Sequence, residues 1–200
     1  MGRGYAAAKA RRQAAAAAAA GQGAVAEPAV TAQPAPAPLP DEQNPLLGEA
    51  SYKRSIREAK ADENSFDRLA DTISTFYTRG NLATASRVTL DTTAQMRDAA
   101  EQIFTKLKRD SKLSLSKERD NEIRQGIAQL AIAATSIRSA QLRVRQIATT
   151  KPGNNIAAST YEAGRNLIRA RSDVRDAFSY LQSASAKANL DLRELRSLPF

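Results

Sequence analysis

From Ser51 onward, apolar residues recur every three or four positions. That is the period of a helix buried along one side. Over residues 51–80 the inward positions are predicted to be Tyr52, Ile56, Ala59, Phe66, Leu69, Ile73 and Phe76. Glu63 and Asn64 interrupt the stripe, which predicts a bend or a frayed turn. Gly80 can close this helix as a left-handed cap, and Asn81 can open the next. The second helix, over 81–110, puts Leu82, Ala85, Val88, Met96, Ala99, Ile103 and Leu107 inward. Thr89, Thr92 and Thr93 lower its intrinsic propensity without breaking its register. The run SKLSLS, residues 111–116, reads as a loop, with Ser116 an N-cap for the third helix.

The third helix has the cleanest pattern. Ile123, Ile127, Leu130, Ala134, Ile137, Gln141, Val144 and Ala148 step by 4, 3, 4, 3, 4, 3 and 4. That is a heptad seam of the kind antiparallel bundles bury. Lys151-Pro152-Gly153-Asn154 has the Pro-Gly order of a type II turn, so the chain should reverse there. The fourth helix is predicted from about Ser159 through Leu192 or beyond, ending before Pro199. Tyr161, Leu167, Val174, Phe178 and Leu181 face inward.

No segment shows the alternation of a strand. Four helices of roughly 28 residues would make a rod about 40 Å long. Two short connections and one of medium length favour an all-α, up-down-up-down four-helix bundle. The region in front is different. Residues 27–48 carry Pro28, Pro34, Pro36, Pro38, Pro40 and Pro45, which read as an extended tail. Three parts are therefore expected: an Arg/Ala-rich segment over 1–26, a Pro-rich tail over 27–48 and a bundle over 49–200.

Composition narrows the chemistry. The chain has no cysteine and no histidine. That removes thiolate chemistry, the commonest metal ligand and the commonest general base. The acids of the first helix, Glu58, Asp62, Glu63, Asp67 and Asp71, alternate with Lys and Arg and read as a solvated face paired along its own helix. No phosphate loop or nucleophile elbow is present. A non-enzymatic protein without cofactor or metal is expected. Formal net charge is +9, which favours an acidic partner. Arg124, Arg138 and Arg145 share a stripe of the third helix, and Arg165, Arg169, Arg171 and Arg175 crowd the fourth. Guanidinium groups suit bidentate contact with carboxylates. Arg138, Arg145, Lys151, Arg165 and Arg169 are the candidate docking residues for an acidic protein surface.

The front of the chain reads as an address. Residues 1–26 hold Arg3, Lys9, Arg11 and Arg12 and no acid. Arg11 and Arg12 form a twin-arginine pair, and Ala14–Ala20 a weak apolar region. Ala24-Val25-Ala26 offers small residues at the two positions a signal peptidase reads, with a cut before Glu27. The alternative is an alanine-rich arm that the mature protein keeps.

A twin-arginine leader, an A-x-A site, the mature start EPAVTAQPAPAPLP and a basic four-helix pattern together resemble the PsbQ family, the extrinsic oxygen-evolving-enhancer proteins of photosystem II. The Lys-rich connection KLKRDSKLSLSKERD, residues 106–120, resembles that family's loop at the same place. The resemblance implies a non-catalytic subunit of the chloroplast thylakoid lumen, peripheral to the membrane. Its partners would be the photosystem II core and the other extrinsic subunits. It would support oxygen evolution by helping to retain calcium and chloride without ligating them. The residues leave a different class open: a structural or assembly protein, a virion component or nucleic-acid-associated bundle, with a retained basic arm. A periplasmic bundle exported by the same signal logic is a third reading.

Overall fold

The structure is a computed structural model that describes residues 45–78 and 81–191. The chain divides into two compact units, Met1–Ala37 and Pro38–Phe200, and every described residue lies in the second. Arg11, Arg12, Ala24 and Ala26, most of the Pro-rich stretch and the expected cap at Gly80 lie outside the described residues.

Among the described residues the fold is all-α, with five helices and no strand. They are α1 (Pro45–Glu63), α2 (Phe66–Phe76), α3 (Leu82–Leu113), α4 (Lys117–Thr149) and α5 (Ile156–Lys187). The first helix begins at Pro45, inside the stretch whose prolines predict an extended tail. A proline at the first helical position gives up only an N–H that has no intrahelical acceptor. The interruption at Glu63–Asn64 is a true break. Ser65 turns the chain there, its N–H and its hydroxyl both reaching the Asp62 carbonyl at 3.0 and 2.6 Å. Only the second half of the segment 111–116 is a loop, because α3 runs on to Leu113.

Ser116 caps α4 as expected, its hydroxyl accepting from the Arg119 N–H at 3.1 Å. The reversal after α4 is not a type II turn, since Gly153 does not take the left-handed conformation that turn requires. The Asn155 side chain caps α5 by accepting from the Ala158 N–H, and the Gly153 N–H donates to the Ser159 hydroxyl. The last helix stops at Lys187, short of Leu192. Asn189 sits at φ 52°, with Asn189 N–H bonded to the Ala186 carbonyl and Leu190 N–H to that of Ser185. That is a Schellman ending, with asparagine in the place glycine usually takes.

Cross-helix contacts set the directions. Glu49 meets Lys108, Glu63 meets Arg97 and Asp67 meets Arg87, so α1 and α2 run antiparallel to α3. Asp110 meets Arg119, so α3 and α4 are antiparallel. Asp173 meets Arg143 and the Lys187 carbonyl meets Arg119, so α4 and α5 are antiparallel too. The most extensive packing is between α4 and α5; α4 also packs on α1, α2 and α3.

All eight predicted seam residues of α4 are buried. In α5 the inward face differs from expectation. Tyr161 is 69 % exposed and Phe178 only partly buried. The true seam is Ala163, Leu167, Ala170, Val174, Ala177, Leu181, Ala184 and Ala188, again stepping by 4 and 3. Small residues let two helices approach closely, and α4 answers with Gly126, Ala133 and Ala140. A Cβ on Gly126 would stand 2.9 Å from Leu107 Cδ1 and 3.3 Å from Lys187 Cβ. In α3, Val88 faces outward while Thr89, Thr92 and Thr93 are buried. Their hydroxyls donate to the carbonyls of Ala85, Val88 and Leu90, so the threonines enter the core already satisfied.

Candidate functional site

Two groups of charge stand out, and they behave oppositely. The first is at the end of α1. Asp62 and Glu63 occupy its last turn, where the helix dipole disfavours carboxylates. Arginines from two other helices offset this. Arg138 and Arg145 of α4 both grip the Asp62 carboxylate, and Arg138 also reaches Glu58 at 3.4 Å. Arg97 of α3, almost fully buried, pairs with Glu63 at 2.7 Å and with Asp98 at 2.8 Å. Burial pushes the Glu63 carboxyl above its ordinary range, and the neighbouring Arg97 charge opposes that push. In the adjoining core, Gln141 donates from Nε2 to the Thr93 hydroxyl at 3.2 Å and to the Ala59 carbonyl at 3.4 Å. Its Oε1 has no partner among the described residues. This cluster ties the end of α1 to α3 and α4 beside the break that starts α2.

The acids of the first helical segment are not paired along their own helix, although Glu58, Asp67 and Asp71 do remain exposed as expected. Glu58, Asp62, Glu63 and Asp67 each meet an arginine of α3 or α4 instead. Among the described residues no group of three acids is placed to hold a metal ion. The buried tyrosine nearby, Tyr52, stacks on Phe104 with ring centroids 4.5 Å apart.

The second group is the outer face of α5. Arg165, Arg169, Arg171 and Arg175 are all exposed. Arg165 has one loose contact, 3.8 Å to Glu162, and the other three make no ion pair among the described residues. Between them stand Tyr161 and Ile168, 69 % and 70 % exposed and one heptad apart. Asp173, at the edge next to α4, is used internally: it accepts from Arg143 at 2.6 Å and from the Ser139 hydroxyl at 2.9 Å. Glu162 and Asp176 are the remaining acids of the face.

The five candidate docking residues do not form one patch. Arg138 and Arg145 are held against α1, with the Arg138 side chain only 19 % exposed. A docking role for these two would require breaking the Asp62 contacts. Arg165 and Arg169 lie on the outer face of α5, and Lys151 is exposed in the connection between α4 and α5. Arg171 and Arg175 belong with Arg165 and Arg169. The large apolar residues of α5 by themselves place Tyr161 inward, and so do not mark Tyr161 and Ile168 as surface anchors. A competing signal does exist in the chain: Ala163, Ala170, Ala177 and Ala184 recur every seven residues and contest the buried side with Tyr161.

No protein family, curated protein or solved structure matches the chain. Among the described residues no helix is long and apolar enough to cross a membrane.

Proposed function

We propose that the protein is a non-catalytic docking subunit. In this reading α1 and α2 share one rod of an up-down-up-down four-helix bundle, and the outer face of α5 binds an acidic protein surface. The observation that carries it is the sorting of the arginines. Those of α3 and α4 facing α1 are consumed in ion pairs within the chain, whereas Arg169, Arg171 and Arg175 have none among the described residues. Unpaired guanidiniums around a tyrosine and an aliphatic side chain have the make-up of an interface: buried anchors inside a polar rim. Ile168 favours a protein over a phosphate backbone, because an aliphatic side chain gains nothing from a phosphodiester.

The narrower form of the proposal is a PsbQ-like extrinsic subunit. It would be peripheral to the thylakoid membrane on the lumenal side, where it helps photosystem II retain calcium and chloride. That form rests on the sequence resemblance. It predicts release from thylakoid membranes by about 1 M salt, where the screening length falls to about 3 Å. Retention through salt followed by release in detergent would refute it.

The broader form is tested on the purified chain. Binding to immobilised polyglutamate at low salt should be lost in a variant carrying Arg169→Glu, Arg171→Glu and Arg175→Glu. Arg124→Glu, on α4, should bind nearly as well as the parent. Equal retention of the triple variant, or a parent that ignores polyglutamate and takes up duplex DNA, sinks the reading.

A further inference from the structure

The connection between α3 and α4 carries two leucines that the bundle does not cover. Leu113 is 72 % exposed and Leu115 fully so. A single exposed leucine is ordinary on a protein surface. Here two stand two positions apart at one end of the bundle, and the serines around them are turned to other work. The Ser114 hydroxyl donates to the Ser116 carbonyl at 3.2 Å, and the Ser116 hydroxyl caps α4 through the Arg119 N–H. Cations frame the pair. Arg109 lies one turn before Leu113 on α3, and Lys112 and Lys117 flank the connection; all three are exposed and in no ion pair among the described residues. The acids nearby are mostly engaged. Asp110 is held by Lys106 and Arg119, Glu122 by Arg119, and Glu49 at the start of α1 by Lys53 and Lys108. Glu118 and Asp120 remain, in the first turn of α4, where the helix dipole favours them.

We infer that this tip inserts into the surface of an anionic lipid membrane. Leu113 and Leu115 enter the acyl boundary, and Arg109, Lys112 and Lys117 meet the headgroup phosphates. Three features select lipid over a protein partner. The first is shape. Leu115 is fully exposed, so it stands clear of the bundle with no wall beside it. A fluid phase can close round such a side chain, whereas a protein must offer it a matching pocket. The second is composition. Protein interfaces are depleted in Lys and Ser, and their hot spots favour Trp, Tyr and Arg over Leu. The tip is built from Lys, Leu and Ser, unlike the outer face of α5, where arginines stand round a tyrosine. Leucine inserted below a basic layer is the make-up of a segment that lies at a membrane surface. The third is charge. A chain of net charge +9 is drawn to an anionic surface, and each cation close to that surface adds to the attraction. Lysine suits this place, because its aliphatic stem lies along apolar matter while its ammonium stays at the headgroups. The inference does not rest on the docking role of α5.

The test uses the full chain and lipid vesicles. The parent should cosediment with vesicles of phosphatidylcholine mixed with phosphatidylglycerol, and not with phosphatidylcholine alone. Leu113→Ser together with Leu115→Ser should weaken binding ~100-fold, with helical circular dichroism unchanged. Lys112→Gln with Lys117→Gln should weaken it ~30-fold. Since the chain has no tryptophan, insertion can be read directly. The emission of a Leu115→Trp chain should shift to the blue on anionic vesicles and be quenched by brominated acyl chains, while Ile168→Trp on α5 should do neither. Leu115→Trp should still insert when Arg169→Glu, Arg171→Glu and Arg175→Glu are added, so loss of the α5 reading leaves this one standing. A parent that ignores anionic vesicles overturns the inference, as does binding that survives the loss of both leucines. Quenching of Ile168→Trp in place of Leu115→Trp also overturns it, by making α5 the membrane face. If the parent ignores vesicles and the leucine variant loses polyglutamate, the tip is a protein contact and the inference falls.

Discussion

Replacing Asp62 by Asn isolates the clamp at the end of α1. Asparagine keeps the shape, and its helix propensity matches that of aspartate, so the change is one of charge. The carboxylate that Arg138 and Arg145 share disappears. An exposed ion pair contributes about 0–1 kcal/mol. Removing one partner of a buried pair costs about 3–5 kcal/mol, because the other charge stays behind. The structure lies between these limits: the Asp62 side chain is 13 % exposed, that of Arg138 19 % and that of Arg145 36 %. Two effects soften the loss. Arg138 keeps Glu58 at 3.4 Å. Removing a carboxylate from the last turn of a helix also returns about 0.3–1 kcal/mol. The net expectation is a destabilisation of about 2 kcal/mol, from adding these opposing contributions. With a urea slope of about 2 kcal/mol per molar, the unfolding midpoint should fall by about 1 M. The assay is urea unfolding followed by circular dichroism, with Arg138→Met measured in both backgrounds. Arg138→Met should cost at least ~1 kcal/mol less once Asp62 is gone, which is the coupling between them. A midpoint shift under about 0.2 M, or equal costs in the two backgrounds, would refute the clamp.

Ala177 is fully buried in the α4–α5 seam, so Ala177→Leu should cost about 1–3 kcal/mol by overpacking. Ile168→Ala, on the outer face, should stay within about 0.5 kcal/mol. Thermal unfolding of both variants checks the pair, and similar melting temperatures would contradict the seam. Gln141→Leu removes a buried amide oxygen without a partner and leaves the Thr93 hydroxyl its bond to Leu90, so stability should rise by about 1 kcal/mol. A lowered urea midpoint would show that the Gln141 contacts to Thr93 and Ala59 matter more than the orphan oxygen. Burial, the largest influence on Glu63, raises its carboxyl pKa, so the folded state holds that proton more tightly than the unfolded one. Relative to Glu63→Gln, the parent should therefore lose stability as pH rises from about 4.5 through the raised pKa. Glu49 behaves in the opposite sense: hydrogen bonds from Lys53 and Lys108 lower its pKa. Its contribution relative to Glu49→Gln should be present above about pH 4.5 and vanish as pH falls through the lowered value. Urea midpoints across that range, with the two differences running the same way, would contradict the assignment.

What can be read from the chain by itself is whatever a single helix imposes on its own residues. The 4-3 spacing of Ile123 through Ala148 specifies a buried seam, because 3.6 residues per turn brings those positions to one side regardless of what covers them. Ser116 is legible as a cap because its partner, the Arg119 N–H, is three residues away. The break at Glu63–Asn64 shows as a gap in the apolar stripe. Alanine blurs the reading of α5. It is apolar enough for a core and small enough for a surface, so the heptad of Ala163, Ala170, Ala177 and Ala184 loses to the larger Tyr161. Threonine misleads in the other direction: Thr89, Thr92 and Thr93 look polar until an intrahelical carbonyl takes each hydroxyl.

The roles of the arginines belong to the tertiary structure. Arg138, Arg145 and Arg169 are indistinguishable in the sequence, each a basic residue on an amphipathic helix. Asp62 lies more than seventy residues before Arg138, and only the packing of α1 along α4 brings the two together. The same packing leaves Arg169 facing outward, with no ion pair among the described residues. Spacing along one helix determines which side a residue takes; what waits on that side is decided by distant chain that folds against it.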